Sequence, residues 1–182
     1  MYEQFTTRAQ AVSAEVHRFA SSQEALGFLV DFMQQEGVAN QAGQYAVMAD
    51  CPFLAAIDRQ VLEGIDGLHC NVTRELAAGA KVGISQVDWA LADTGTLVQD
   101  ATAIDKRLVS TLPTIHVALI ATSGLRPDMP AVLAEVDPSK ANYIAMITGP
   151  SRTADIERVL TIGVHGPERL VIVFIDQLGG AN

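Results

Sequence analysis

Cysteine is scarce in this chain. Two occur in 182 residues, Cys51 and Cys70, and neither belongs to a CxxC or Cys/His cluster. A disulfide framework, a structural zinc site and an iron–sulfur ligand run are therefore not expected. Positive charge is short as well. Twelve Lys and Arg stand against 21 Asp and Glu, a net charge of −9. Nucleic-acid binding and a polybasic membrane-surface role both need the missing cations. A small anion does not, because a few placed donors hold it. No apolar run reaches the roughly 18 residues of a membrane span. The N-terminal stretch has no apolar core followed by a cleavage site. These absences point to a soluble protein of the reducing cytoplasm. Also missing are a GxGxxG after a strand, a GxxxxGK[ST] loop and a GxSxG elbow, so no standard cofactor announces itself.

What is present is apolar and periodic. Hydrophobic residues make up 49% of the chain, enough for one sizeable core. Apolar spacing at 12, 16 and 19 predicts a helix over 11–19. A second helix is predicted after Ser21 or Ser22, with Glu24 in its first turn and a stop near Gly37. Short strands are expected at 45–48 and 68–72, a helix from Pro52 to about Leu62, and another over 75–80. Residues 88–93 and 96–100 read as a hairpin about Gly95. Apolar strands follow at 114–121, 143–148 and 170–175, with helices at 128–136 and 154–164. Strands alternating with helices imply a single α/β domain over 1–182: a mainly parallel sheet flanked by helices, with an antiparallel hairpin.

Three segments carry residues able to do chemistry. In 149–167 a strand runs through Gly149 and a loop into the expected helix. The free N–H groups of a first turn, the hydroxyls of Ser151 and Thr153 and the Arg152 guanidinium suit a carboxylate or phosphate. Ordinary helix capping accounts for the same residues. In Asp93-Thr94-Gly95-Thr96 the carboxylate is a candidate base or nucleophile and the hydroxyls are candidate ligand holders. A plain hairpin turn is the competing explanation. Arg107 can reach an anion bidentately, or simply be a solvated surface arginine. His116 lies inside an apolar strand, as a core histidine or a titrating group facing a cleft. His165 falls at the expected helix C-terminus, where its cation is favoured without any catalytic role. No metal ligand set is found.

Those segments resemble a known family. DWALADTGTLV (88–98), RLVSTLPTIHVALIA (107–121) and GPSRTADIERVLTIGVHGP (149–167) are similar to the LUD domain, the domain of lactate-utilisation protein C and its relatives. The signature half spans about 83–176, after N-terminal helices over about 8–36. The resemblance implies a fold like that of the NagB/RpiA/CoA-transferase superfamily. It implies an accessory role in oxidising L-lactate to pyruvate, beside iron–sulfur partner proteins that bring the redox centres, with no cofactor in this chain. It carries Gly95, Thr96 and the Ser151-Arg152-Thr153 loop over as site residues. One position departs: the family's Glu-Thr-Gly-Thr is here Asp93-Thr94-Gly95-Thr96, a carboxylate one methylene shorter, which weakens any acyl chemistry at Asp93. The alternatives are a stand-alone isomerase or CoA-transferase-like enzyme, and a small-anion binding or sensing module. A homodimer is compatible with each.

Overall fold

The structure is a computed structural model. It describes residues 1–154, 160–163 and 165–178. The first element is helix α1 (Tyr2–Ala11), which turns at Ser13 into strand β1 (Glu15–Ser21). Helix α2 (Ser22–Gln35) follows, then β2 (Ala46–Met48), a 3-10 turn at Pro52–Ala55, and α3 (Arg59–Glu63). Next come β3 (Leu68–His69), α4 (Arg74–Ala78), β4 (Val82–Gln86), β5 (Trp89–Leu91) and β6 (Thr96–Asp100). The second half holds α5 (Ile104–Thr111), β7 (Ile115–Ala121), β8 (Leu125–Arg126), α6 (Met129–Leu133) and β9 (Ile144–Ile147). It ends with β10 (Arg152–Ala154), β11 (Leu160–Ile162) and β12 (Arg169–Gln177).

Six strands form a parallel sheet in the order β1-β12-β7-β4-β2-β3. Its central strands, β7 and β12, are buried on both faces, which is why both read as near-continuous apolar runs. One face places Val82, Ile84, Val117, Leu119, Val171 and Val173 against Leu26, Leu29 and Met33 of α2. The Ser21 hydroxyl caps α2 by accepting from Glu24 N–H at 3.2 Å, and the Glu24 carboxylate accepts from Ala20 N–H in return. The other face places Ala118, Ile120, Leu170, Ile172 and Phe174 against Phe5 and Ala9 of α1. Ala90 and Leu97 join them from a second sheet of order β8-β5-β6-β9, in which β5 and β6 form the expected antiparallel hairpin. Among the described residues no helix is long and apolar enough to cross a membrane.

Three expected helices are corrected. Residues 11–19, and with them the all-helical segment over 8–36, divide into the end of α1, a turn and β1. Val16 packs on one side of the sheet and Phe19 on the other. Their three-residue spacing, which suits a helix face, serves equally to reach opposite faces of a strand. Residues 52–62 break in two because the Asp58 carboxylate accepts from Gln60 N–H and starts α3 afresh. The helix over 154–164 is replaced, where residues are described, by β10 and β11. These pair antiparallel with Arg152 opposite Ile162 and Ala154 opposite Leu160. Gly163, at φ +80°, and the β-branched pair Thr161-Ile162 oppose a helix there. Asp155 and Glu157, expected in its first turn, lie outside the described residues.

Candidate functional site

The site grows from the start of β7. His116 pairs in register with Gly83 of β4 on one side and Leu170 of β12 on the other. It shares a face with Ala118 and Ile120, the face turned toward the second sheet. Gly83 has to be glycine: a Cβ would come within 2.6 Å of the Pro113 ring and would collide with the Val109 carbonyl. Two residues along β4, Ser85 faces the same way. Its hydroxyl lies 2.9 Å from His116 Nε2. From the opposite sheet Gln99 of β6 reaches in, and its Nε2 donates to Ser85 Oγ and to the Gln86 carbonyl, both at 3.0 Å. Ser85 and Gln99 are fully buried and His116 is 1% exposed. Burial alone pushes the His116 pKa down to about 4, so the ring is neutral at pH 7. His116 Nδ1 and Gln99 Oε1 are buried without a partner.

His116 also forms the inner wall of a cavity of about 290 Å³. Ser110 and Thr111 at the end of α5, Thr148, Gly149 and Ser151 after β9, and His165 complete its polar lining. A second hollow of about 450 Å³ shares Thr111, His165 and Gly166 with it. The cavity sits where β7 and β12 begin. Open α/β sheets more often bind at the carboxyl ends of their strands. Its rim is held by specific bonds. Ser151 N–H donates to the Pro167 carbonyl at 2.8 Å, and Gly163 N–H donates to the Ser151 carbonyl at 3.0 Å. Gly149, at φ +70°, presses on the end of α1, where a Cβ would strike the Val12 carbonyl.

The residues singled out in the sequence fall into three groups. His116, Gly149, Ser151 and His165 line the cavity. Thr96 adjoins it, its hydroxyl 2.8 Å from that of Thr148. The others stand elsewhere. Asp93 and Thr94 are exposed in the hairpin turn, with Asp93 N–H donating to the Pro127 carbonyl. Gly95, at φ +69°, lies against α1, where a Cβ would strike the Ala9 nitrogen. Arg107 stacks over the Tyr143 ring at 5.0 Å. Arg152 donates to the Val12 carbonyl at 2.6 Å and lies near the Ser13 hydroxyl, so it braces α1. It does not extend from a helix N-terminus, because β10 replaces the expected helix start. The Thr153 side chain lies outside the described residues, and His165 follows a strand where a helix end was expected.

Ser85, Gln99, Ser110, Thr111 and Thr148 escaped the sequence reading. Gln99 did leave a trace, as a polar residue two positions after Leu97 on the inward face of its strand. No group of His, Cys, Asp and Glu among the described residues has the arrangement of a metal site. Cys51 is buried, and burial pushes its thiol up to about 11. That is the environment of an inert structural cysteine.

A parallel six-stranded sheet with helices on both faces, a second, mixed sheet over one of them and a cavity of mixed polar and apolar lining at the strand starts define a single-domain α/β protein. The chain belongs to the LUD domain family, whose model matches residues 2–175. It is 40% identical over 119 residues to a "Lactate utilization protein C" of Exiguobacterium sp., covering 62% of this chain and 52% of that protein. A protein of the same name from Anoxybacillus flavithermus is 38% identical over 156 residues, covering 81% and 70%. The chain spans about half the length of several curated relatives that it matches. The crystal structure of a DUF162 family protein from Deinococcus radiodurans has the same fold. Its TM-score is 0.65 at 18% identity, over 96% of this chain and 95% of that one.

Proposed function

We propose that this LUD-domain chain serves lactate utilisation as an accessory, ligand-holding component. It takes a small carboxylate, L-lactate or pyruvate, into the cavity beside His116. In this reading iron–sulfur partner proteins carry the electrons, and the two cysteines of this sequence leave that part to them. The names of the relatives support the role. The single observation that carries the ligand is the cavity itself. Its volume of about 290 Å³ lies at the small end of ligand sites. Its lining sets hydroxyls and two histidines beside apolar Met146, Ile147 and Leu170, the mixture a small organic acid calls for.

The test is calorimetric titration of the purified chain with L-lactate and pyruvate, with acetate and inorganic phosphate as controls. Saturable binding of L-lactate or pyruvate, weakened by Thr148→Val, is expected. No saturable binding at millimolar concentration, or equal binding of phosphate, overturns the ligand. For the partners, affinity capture from lactate-grown cells should recover iron–sulfur proteins, and capture without them overturns that half.

A further inference from the structure

The three buried side chains behind the cavity are linked by hydrogen bonds, and one arrangement of protons uses every donor in the link. The Gln86 main-chain oxygen can only accept, so the Gln99 group facing it is the amide NH₂. One hydrogen of that NH₂ goes to the Gln86 carbonyl and the other to Ser85 Oγ. With its oxygen accepting from Gln99, the Ser85 hydroxyl has its own hydrogen left to give. The atom in reach is His116 Nε2, at 2.9 Å. A neutral imidazole that accepts at Nε2 carries its proton on Nδ1. His116 Nδ1 is the atom left buried and unpartnered; the side chain lines the cavity, and a ligand meets Nδ1 once the lining over it yields. Such an orphan donor is costly unless something accepts from it.

We propose that His116 is the ligand-recognising donor of this cavity. Its Nδ1–H, set by the chain Gln99→Ser85→His116, gives a hydrogen bond to a carboxylate or ketone oxygen of a small 2-oxo or 2-hydroxy acid. This rests on the ligand reading above and names the group that carries it. Ser85 and Gln99 are positioning residues, acting only through the imidazole. A neutral donor explains how an acidic chain can hold an acid with neither lysine nor arginine among the described lining residues. The group required of the ligand at that point is a bare acceptor. An amide NH₂ or an ammonium presented there would face another donor.

The experiment is ¹⁵N NMR of the histidine-labelled full chain, free and titrated with pyruvate. The free protein is expected to show His116 as the neutral Nδ1–H tautomer. Pyruvate should shift the Nδ1 resonance. A Nε2–H tautomer in the free protein overturns the proposal whatever the ligand does. So does pyruvate binding that leaves His116 Nδ1 unmoved. If pyruvate and L-lactate both fail to bind, the ligand reading falls, and the tautomer still decides the donor chain. Gln99→Glu removes the NH₂ that drives the chain. Ser85 should then donate toward Glu, and His116 should switch to Nε2–H, with pyruvate binding about 10–100-fold weaker. Ser85→Ala serves if that variant does not fold, and should leave a mixture of tautomers. An unchanged pure Nδ1–H form in a folded Gln99→Glu protein contradicts the relay.

Discussion

Thr96 and Thr148 face each other one step beyond the Leu97–Ile147 pair of β6 and β9, with their hydroxyl oxygens 2.8 Å apart. This contact joins the hairpin turn to the loop that rims the cavity. A cross-strand hydroxyl pair of this kind is worth roughly 0.2–1 kcal/mol. A double-mutant cycle of Thr96→Val and Thr148→Val, followed by urea unfolding, should return a coupling energy of about that size. Strict additivity would mean that the two hydroxyls stabilise the fold independently.

His116 should make stability depend on pH. Its pKa is about 4 in the fold against 6.5 for the unperturbed group. Between those values the unfolded chain binds the proton and the folded one does not. The contribution is therefore complete above pH 6.5 and is lost as the pH falls toward 4. At about 1.36 kcal/mol per pH unit the loss is on the order of 3 kcal/mol. Urea unfolding at pH 7.5, 6 and 5 should show wild type losing more stability than His116→Phe. Parallel profiles would show that the ring titrates alike in both states.

Gly95 and Gly149 both hold φ near +70° and both abut α1. Gly95→Ala or Gly149→Ala combines left-handed strain, about 1–2 kcal/mol, with a backbone collision. Each should lower the melting temperature by several degrees. Gly149→Ala should also weaken pyruvate binding, since Gly149 lines the cavity. A neutral result at either position would mean that α1 is not seated as described.

Arg152→Ala tests the division between brace and ligand holder. Loss of its bond to the Val12 carbonyl should cost about 0.5–1.5 kcal/mol of stability. Pyruvate affinity should change by less than about threefold. A tenfold loss, with stability intact, would move the guanidinium into the site.

The elements legible in the sequence are those whose local chemistry and packing agree. β7 and β12 are apolar runs buried on both faces, and α2 carries its own cap and its own stop at Gly37. β1 was hidden because its partner, β12, lies at the far end of the chain. A spacing of three residues does not say whether a helix or a sheet will use it. In the described part of 154–164 strands stand where the first-turn charges suggest a helix, and Thr161, Ile162 and Gly163 point to that outcome. The site followed the same logic. His116, Ser151 and Gly149 stand out as polar groups or glycine beside apolar strands. Ser85 and Gln99 matter only through the register that brings two sheets together, and no local pattern records that. Asp93 drew notice for its carboxylate, while the structural demand at that turn falls on Gly95.

β1 lies beside β12, and Arg169 bonds Glu15 across 154 positions of sequence. During synthesis β1 must therefore wait, unpaired along that side, until β12 has been made. The wall of the cavity at Leu170 arrives with the same strand. A chain released before β12 would have His116 in place on β7 but no enclosure for it, and two open strand edges inviting mispairing. The binding site is thus among the last parts of the molecule to be completed, and a truncated product should be prone to aggregate and unable to bind.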